Sequence, residues 1–349
     1  MILQLDSIVK KKGKNSILHG VSVQIPQSSF FVLMGPTGSG KTTLLRVAGL
    51  MDKPDSGSIV FQGKPVPGNR RELLKTRRKM AIMFQNPVMF RGTVRSNIAW
   101  GLGIRGVSGR EAAIRIDKAL ELVGLGDFAE RNASTLSGGE LRRAALARVL
   151  VLEPDLLIMD EPTTSLHPSF KTDLLRRIKE IHAETGSTFL IATHDFTDAL
   201  AAGTEGAVLR NGLIEQTGSL NDILFSPKNR FMASFTGMRN IYPVEFSGSE
   251  AELGGLKVKH TGERTGHGFL AVPPEVIVVS LTETVTSERN RFAGRVKAVE
   301  RKGTNWDVTV EVSGVEFIAA VTTGALSEIA VSPGSLVHIS FKASAVHLF

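Results

Sequence analysis

FFVLMGPTGSGKTTLLRVAGL, residues 30–50, changes character twice in 21 residues. Five apolar residues of strand type run into a turn holding Gly35, Gly38 and Gly40, and from Lys41 onward the apolar residues fall at helical spacing. The glycines let the backbone turn tightly and leave no side chain between its N–H groups and a ligand. A helix that opens at such a turn offers unpaired N–H groups and the positive end of its dipole, a setting for a phosphate. Residues 35–43, GPTGSGKTT, also fit the spacing G-x-x-x-x-G-K-[ST]. On this reading Gly35, Pro36, Thr37, Gly38, Ser39 and Gly40 wrap nucleotide phosphates, Lys41 reaches the β- and γ-phosphates, Thr42 offers a hydroxyl to Mg²⁺, and Thr43 completes the nucleotide-binding set at the helix start.

Working outward, LLIMD (156–160) is a second apolar strand, and in LLIMDE (156–161) two carboxylates stand at its end. Asp160 suits a Mg²⁺ shell and Glu161 suits deprotonating a water. TFLIATH (188–194) is a third strand and ends in His194, whose ring can bridge a γ-phosphate and the protein. Each strand precedes a helical stretch, an alternation that predicts a parallel sheet covered by helices with its ligand beyond the carboxyl ends of the strands. Asn211-Gly212 between two strand-like runs predicts a hairpin. From about residue 238 the pattern changes to short β-branched runs such as WDVTVEVSGVEFIAAV and LVHISF, broken by Gly, Pro and Ser, which predicts a separate all-β module of small-barrel type.

A length of 349 residues exceeds one ordinary core and fits two or three domains. The chain has no cysteine, which excludes disulfides and thiolate metal sites. In MILQLDSIVKKK the apolar residues precede the charges, the reverse of a secretory signal, and no apolar run approaches the roughly 20 residues of a membrane span. The net charge of +8 is uneven: residues 1–237 hold 31 Lys and Arg against 22 Asp and Glu, and 238–349 hold 11 against 12. The densest basic run, RRELLKTRRK (70–79), lacks the interleaved aromatics that stack on bases, so it is read as a solvated or membrane-facing helix rather than a nucleic-acid surface.

LSGGELRRAALARVL, residues 136–150, is another glycine-led helix start with no reactive side chain of its own. Together with the phosphate loop, Gln85 in MFQNPV, LLIMDEP, SLHP (165–168) and His194, it resembles the ATP-binding subunits of ABC transporters over about residues 1–235. The resemblance implies a RecA-like P-loop ATPase core of α/β class with an inserted helical subdomain near 90–150, and a C-terminal all-β, OB-like barrel. It divides the chain into an ATPase domain, 1–237, and a regulatory domain, 238–349. It also implies ATP and Mg²⁺ as cofactors and a homodimer in which Ser137, Gly138 and Gly139 cap the γ-phosphate of ATP bound to a second copy. Glu161 would be the base, His194 a γ-phosphate contact, and Gln85 a contact to Mg²⁺ or water that couples the site to a membrane permease. Three positions depart from the family: Glu140 replaces the commoner Gln, His167 stands where Asp is usual, and Lys12 occupies the place of an adenine-stacking aromatic.

A lone ATPase domain with a β-rich extension resembles the ATPases of binding-protein-dependent importers. Such a subunit would sit peripherally on the cytoplasmic side of the membrane, bind an integral permease through a groove lined by Met89, Phe90 and Arg91, and serve an external substrate-binding protein indirectly. The stretch NPVMFRGTVRSNIAWGL resembles tungstate-type importers, and TSERNRFAGRV (286–296) resembles the signature of oxyanion-binding Mop modules, related to TOBE extensions. Ser287, Arg289 and Asn290 would then supply donors to tungstate or molybdate; alternatively, Arg289 and Asn290 shape the start of a strand. Sulfate, sugar or polyamine import is the nearest alternative, and a nucleic-acid-associated ATPase a more distant one.

Overall fold

The computed structural model describes residues 1–282 and 289–349, which divide into compact units at 1–221 and 222–349. The chain runs through β1 (Leu3–Lys12), β2 (Asn15–Ile25), β3 (Phe30–Met34), α1 (Lys41–Ala48), β4 (Ser56–Phe61), β5 (Lys64–Pro65), α2 (Arg70–Arg77) and β6 (Met80–Met83). Next come α3 (Val94–Ile104), α4 (Gly109–Leu122), α5 (Gly138–Leu150), β7 (Leu156–Asp160), α6 (Pro168–Thr185), β8 (Thr188–Thr193), α7 (Phe196–Ala202), β9 (Glu205–Arg210) and β10 (Leu213–Ser219).

Six strands form one sheet in the order β10-β9-β3-β8-β7-β6, parallel except for β10. β3, β7 and β8 are buried at every residue because both faces of the sheet are covered. Successive side chains feed opposite cores. Phe30, Met159, Phe189 and Ile191 pack with α3 to α6, whereas Phe31, Leu33, Ile158 and Leu190 pack with α1 and a second, antiparallel sheet of β2, β1, β4 and β5. That second sheet has only a weak sequence signal, since β1 shifts register three times against β2 and turns at Ser7 with φ 51°. Helices α3, α4 and α5 supply the helical subdomain. The basic helix α2 buries none of its residues and is capped by Asn69, which fits a solvated helix.

Helix α8 (Leu220–Phe225) contains the boundary between the units, and α9 (Arg230–Phe235) follows. The division therefore falls earlier than the expected 237/238. Ala233 of α9 and Met238 pack on Ala271, which places these residues with the β-rich unit. That unit contains β11 (Asn240–Leu253), β12 (Leu256–Val272), β13 (Val278–Ser280), β14 (Asn290–Lys302), β15 (Asn305–Val312), β16 (Val315–Thr322), α10 (Thr323–Ile329), β17 (Leu336–Phe341) and β18 (His347–Leu348). Two antiparallel sheets, β11-β12-β18 and β13-β17-β14-β15-β16, close on one core that includes Phe246, Val258, Leu270, Val310, Phe317 and Phe341. The buried Asn240 amide joins them, donating to Val272 O at 3.0 Å and Ile318 O at 2.8 Å and accepting from Ile318 N.

Candidate active site

Parallel strands end at one edge, and β3, β6, β7 and β8 bring Gly35, Gln85, Asp160 and His194 to the same edge of the sheet. Gly35 is required there: a Cβ on it would meet Leu209 O at 2.1 Å. Gly40 opens α1 at φ 107° without a side-chain cap, leaving the first N–H groups of the helix to the loop. Ser39 N–H donates to Pro36 O at 3.2 Å, while Ser39 Oγ is buried without a partner. An orphaned buried hydroxyl beside free N–H groups fits a loop built around phosphate oxygens.

Lys41 is buried, and its ammonium donates to Gly35 O at 2.7 Å and Pro36 O at 3.1 Å and lies 3.7 Å from Glu161 Oε1. Burial pulls its pKa down against the pull of Glu161 and Asp160. Thr42 Oγ1 donates to Asp160 Oδ2 at 2.7 Å. Burial pushes the Asp160 carboxyl up, opposed by that hydrogen bond. A hydroxyl and a carboxylate side by side are hard oxygen donors of the kind Mg²⁺ takes. Among the described residues no cluster of three or more His, Asp or Glu suits a metal, so Mg²⁺ here would also need the nucleotide's own oxygens.

Glu161 accepts from Thr164 Oγ1 at 2.6 Å and lies 2.9 Å from His194 Nδ1, both through Oε2. Burial works to raise its carboxyl, but the bonds from Thr164 and His194 and the charge of Lys41 outweigh it and hold the group below the usual range. An ionised carboxylate only accepts, so the shared proton is assigned to Nδ1 of the half-exposed His194 ring. The phosphate loop, Asp160, Glu161 and His194 are thus one connected group.

Among the described residues, no side-chain hydrogen bond joins the other predicted residues to this group. Gln85 is half-buried, two residues beyond β6. Ser137, Gly138 and Gly139 open α5, with Ser137 and Gly138 exposed. Ser137 closes a capping box with Glu140 and bonds nothing in the phosphate loop: its N–H donates to Glu140 Oε2 at 2.7 Å and its Oγ accepts from Glu140 N at 3.4 Å. Glu140 therefore caps the helix that carries the glycines, which explains why an acid serves at this position. His167 stands at the N-cap position of α6 without a side-chain cap bond, its Nδ1 3.0 Å from Ser169 Oγ, and Lys12 is exposed at the end of β1.

Several supporting contacts carry no local sequence signal. The hairpin at Asn211-Gly212 is predicted, but not that Gly212 N–H donates to Ser39 O at 3.0 Å, by which the β9–β10 turn buttresses the phosphate loop. Asn97, buried on α3, donates to Phe90 O and Thr93 O and accepts from Phe90 N, pinning the segment that holds Met89, Phe90 and Arg91. Phe90 stays half exposed against Trp100, ring centroids 4.9 Å apart. Lys171 joins Asp195 and Asp198 at 2.5 and 2.8 Å.

In the second unit Ser287 lies outside the described residues and Arg289 is exposed. The Asn290 amide is buried and spans the Lys259 peptide, donating to Lys259 O at 2.8 Å and accepting from Lys259 N at 2.7 Å. These bonds hold β14 on β12, which fits the alternative that Asn290 shapes the start of a strand.

The sequence pattern of the ABC transporter family matches residues 18–164, and that of the TOBE domain matches residues 286–348. Over the whole of both chains the protein is 34% identical to the molybdate/tungstate import ATP-binding protein WtpC of Pyrococcus horikoshii. It is 33% identical to the Fe(3+) ions import ATP-binding protein FbpC of Escherichia coli (strain K12), over 91% of this chain and 90% of that one. Among solved structures, cbiO1 of Clostridium perfringens, part of the ABC transporter complex cbiONQ, aligns with a TM-score of 0.61 at 29% identity, covering 64% of this chain and 90% of its own. The ATP-binding cassette MJ0796, in a dimeric post-hydrolysis state bound to ADP and Pi, aligns with a TM-score of 0.56 at 30% identity, covering 62% and 98%.

Proposed function

This chain belongs to the ATP-binding subunits of ABC transporters, and we propose that it powers the import of tungstate or molybdate. It is an importer ATPase that uses ATP with Mg²⁺. The observation that carries the substrate reading is the end-to-end match to a molybdate/tungstate import protein, which extends through the C-terminal unit. The relatives named above with a stated role in transport are import proteins or part of a transporter complex, and the nucleic-acid alternative falls away.

In this reading the N–H groups of residues 37–43 and the Lys41 ammonium hold the phosphates of ATP. Mg²⁺, when bound at Thr42 and Asp160, neutralises charge on the β- and γ-phosphate oxygens. Glu161 takes a proton from the water that attacks the γ-phosphorus, as the bond to the β–γ bridging oxygen breaks. His194 donates Nδ1–H to Glu161 and turns Nε2 towards the γ-phosphate, to which it donates only when the ring is protonated. Gln85 contributes a polar contact from the neighbouring strand end.

Ser137, Gly138 and Gly139 serve the ATP of a second copy. Support comes from their exposure at a helix N-terminus and from the absence of any bond between Ser137 and its own loop. ATP then joins two copies, and loss of the γ-phosphate releases them, which converts hydrolysis into motion. The exposed rings of Phe90 and Trp100, with Val88, form the surface for a permease, and the substrate-binding protein acts through that permease. No described helix is long and apolar enough to cross a membrane, so the subunit would be held at the cytoplasmic face by this contact. Arg289 remains the exposed cation for an oxyanion at the second unit.

The test is uptake in cells lacking this chain. Loss of tungstate and molybdate accumulation, restored by the wild-type chain and not by Lys41→Ala, supports the reading. Loss of ferric iron uptake with tungstate and molybdate unchanged overturns it.

A further inference from the structure

We propose that Lys171 is a positioning residue for hydrolysis: from the first turn of α6 it bridges Asp195 and Asp198 and so fixes the loop that presents His194 to Glu161. The inference rests on the ATPase reading above. Six side chains close a ring around the end of the sheet. Glu161 Oε2 meets His194 Nδ1 at 2.9 Å, and His194 is followed in the chain by Asp195, whose Oδ2 lies 2.5 Å from Lys171 Nζ. Lys171 Nζ lies 2.8 Å from Asp198 Oδ1, and Asp198 Oδ2 accepts from Thr163 Oγ1 at 2.6 Å, two residues after Glu161.

Asp195 also caps α7, accepting from Thr197 N at 2.8 Å and Asp198 N at 3.4 Å, while its own N–H donates to Thr193 Oγ1 at 3.1 Å. These bonds tie the backbone on both sides of His194 to the direction of the Asp195 carboxylate. Lys171 is the shared cation between the two acids, and the Asp198 side chain is only 5% exposed. Without it, a nearly buried Asp198 carboxylate faces the partly exposed Asp195 carboxylate with no cation between them, which is costly unless they separate or one takes a proton. Lost with the lysine is the anchor of the α7-opening turn to α6, and that turn would then carry His194 away from Glu161 whether or not the two acids repel.

The experiment uses the full-length chain and its variants Lys171→Met, Lys171→Arg and Lys171→Met/Asp198→Asn. For each, kcat and KM for ATP, the pH–rate profile and the thermal midpoint are measured. Displacing a catalytic group by about an ångström is worth roughly 100-fold in rate, so Lys171→Met should lose about 10- to 100-fold in kcat. Its KM should stay within about threefold of wild type, because the phosphate-binding residues are untouched. Lys171→Arg keeps the cation and should restore most of kcat. The double variant removes the uncompensated buried charge and should recover the thermal midpoint while kcat stays low. Wild-type kcat in Lys171→Met, or recovery of kcat together with the midpoint in the double variant, would overturn the proposal and leave an ordinary structural ion pair. A wild-type chain that hydrolyses no ATP overturns the ATPase reading itself and this inference with it.

Discussion

Glu161 sits at φ 46°, a left-handed conformation that costs a residue with a Cβ free energy. Its N–H donates to Ala192 O at 2.9 Å, and this bond across to β8 holds the carboxylate where Lys41, Thr164 and His194 converge. Replacement by Gln keeps the shape and removes the base. Glu161→Gln should bind an ATP analogue with wild-type affinity and hydrolyse ATP about 100-fold more slowly or worse; a near-wild-type rate in a phosphate-release assay would take Glu161 out of this role. Gly35→Ala is a harsher change, because its Cβ would meet the Leu209 carbonyl. It should lower both the melting temperature and ATP affinity, measured by scanning fluorimetry with and without Mg-ATP. Gly35, Lys41, Thr42, Asp160 and Glu161 are legible in the sequence because their chemistry requires fixed spacing at a strand end. Lys171 is not, since its partners stand 24 and 27 residues away on another element. Asn290 reads two ways in the sequence, as a ligand donor or as the shaper of a strand start, and its bonds to the Lys259 peptide favour the second.

Elements are legible where one rule governs the whole segment. FFVLM, LLIMD and LVHISF read as strands and span β3, β7 and β17 without an error at either end. Bulged strands such as β1 do not read this way, because each register shift breaks the alternation that marks a half-buried strand. The segment that presents Phe90 depends on α3 through Asn97. Asn97→Ala leaves Phe90 N–H and two carbonyls without their buried partner and should cost about 1–3 kcal/mol in urea unfolding. The α6–α7 pair makes a prediction in pH. The Asp195 carboxyl is pushed up by burial but held below its free value of 3.8 by Lys171 and the α7 N–H groups, so its contribution to stability is present above that value and fades as pH falls through the depressed one. Burial opposes the charge on Lys171, yet its two acids hold its pKa above the free value of 10.5, so its contribution is present below that value and fades as pH rises through the raised one. The stability gap between wild type and Lys171→Met should therefore be widest between about pH 4 and about pH 10 and narrow on either side. A gap that is flat across acid pH would contradict the pairing.

At the scale of the whole molecule, the change from alternating strand and helix patterns to short β-branched runs announces two units. Their boundary is blurred because the helix after β10 has no distinctive turn chemistry and α9 is amphipathic enough to suit either side, while its packing on Ala271 decides the matter. The basic excess of residues 1–237 belongs largely to exposed helix surface such as α2. In the proposed function two copies act together, with the exposed start of α5 in one copy serving the ATP of the other. Sedimentation velocity of the full-length Glu161→Gln variant, with Mg-ATP and then with Mg-ADP, tests this directly. The account predicts a dimer with ATP that falls to monomer with ADP and fails to form in Ser137→Arg. A species of unchanged size in both nucleotides would contradict it.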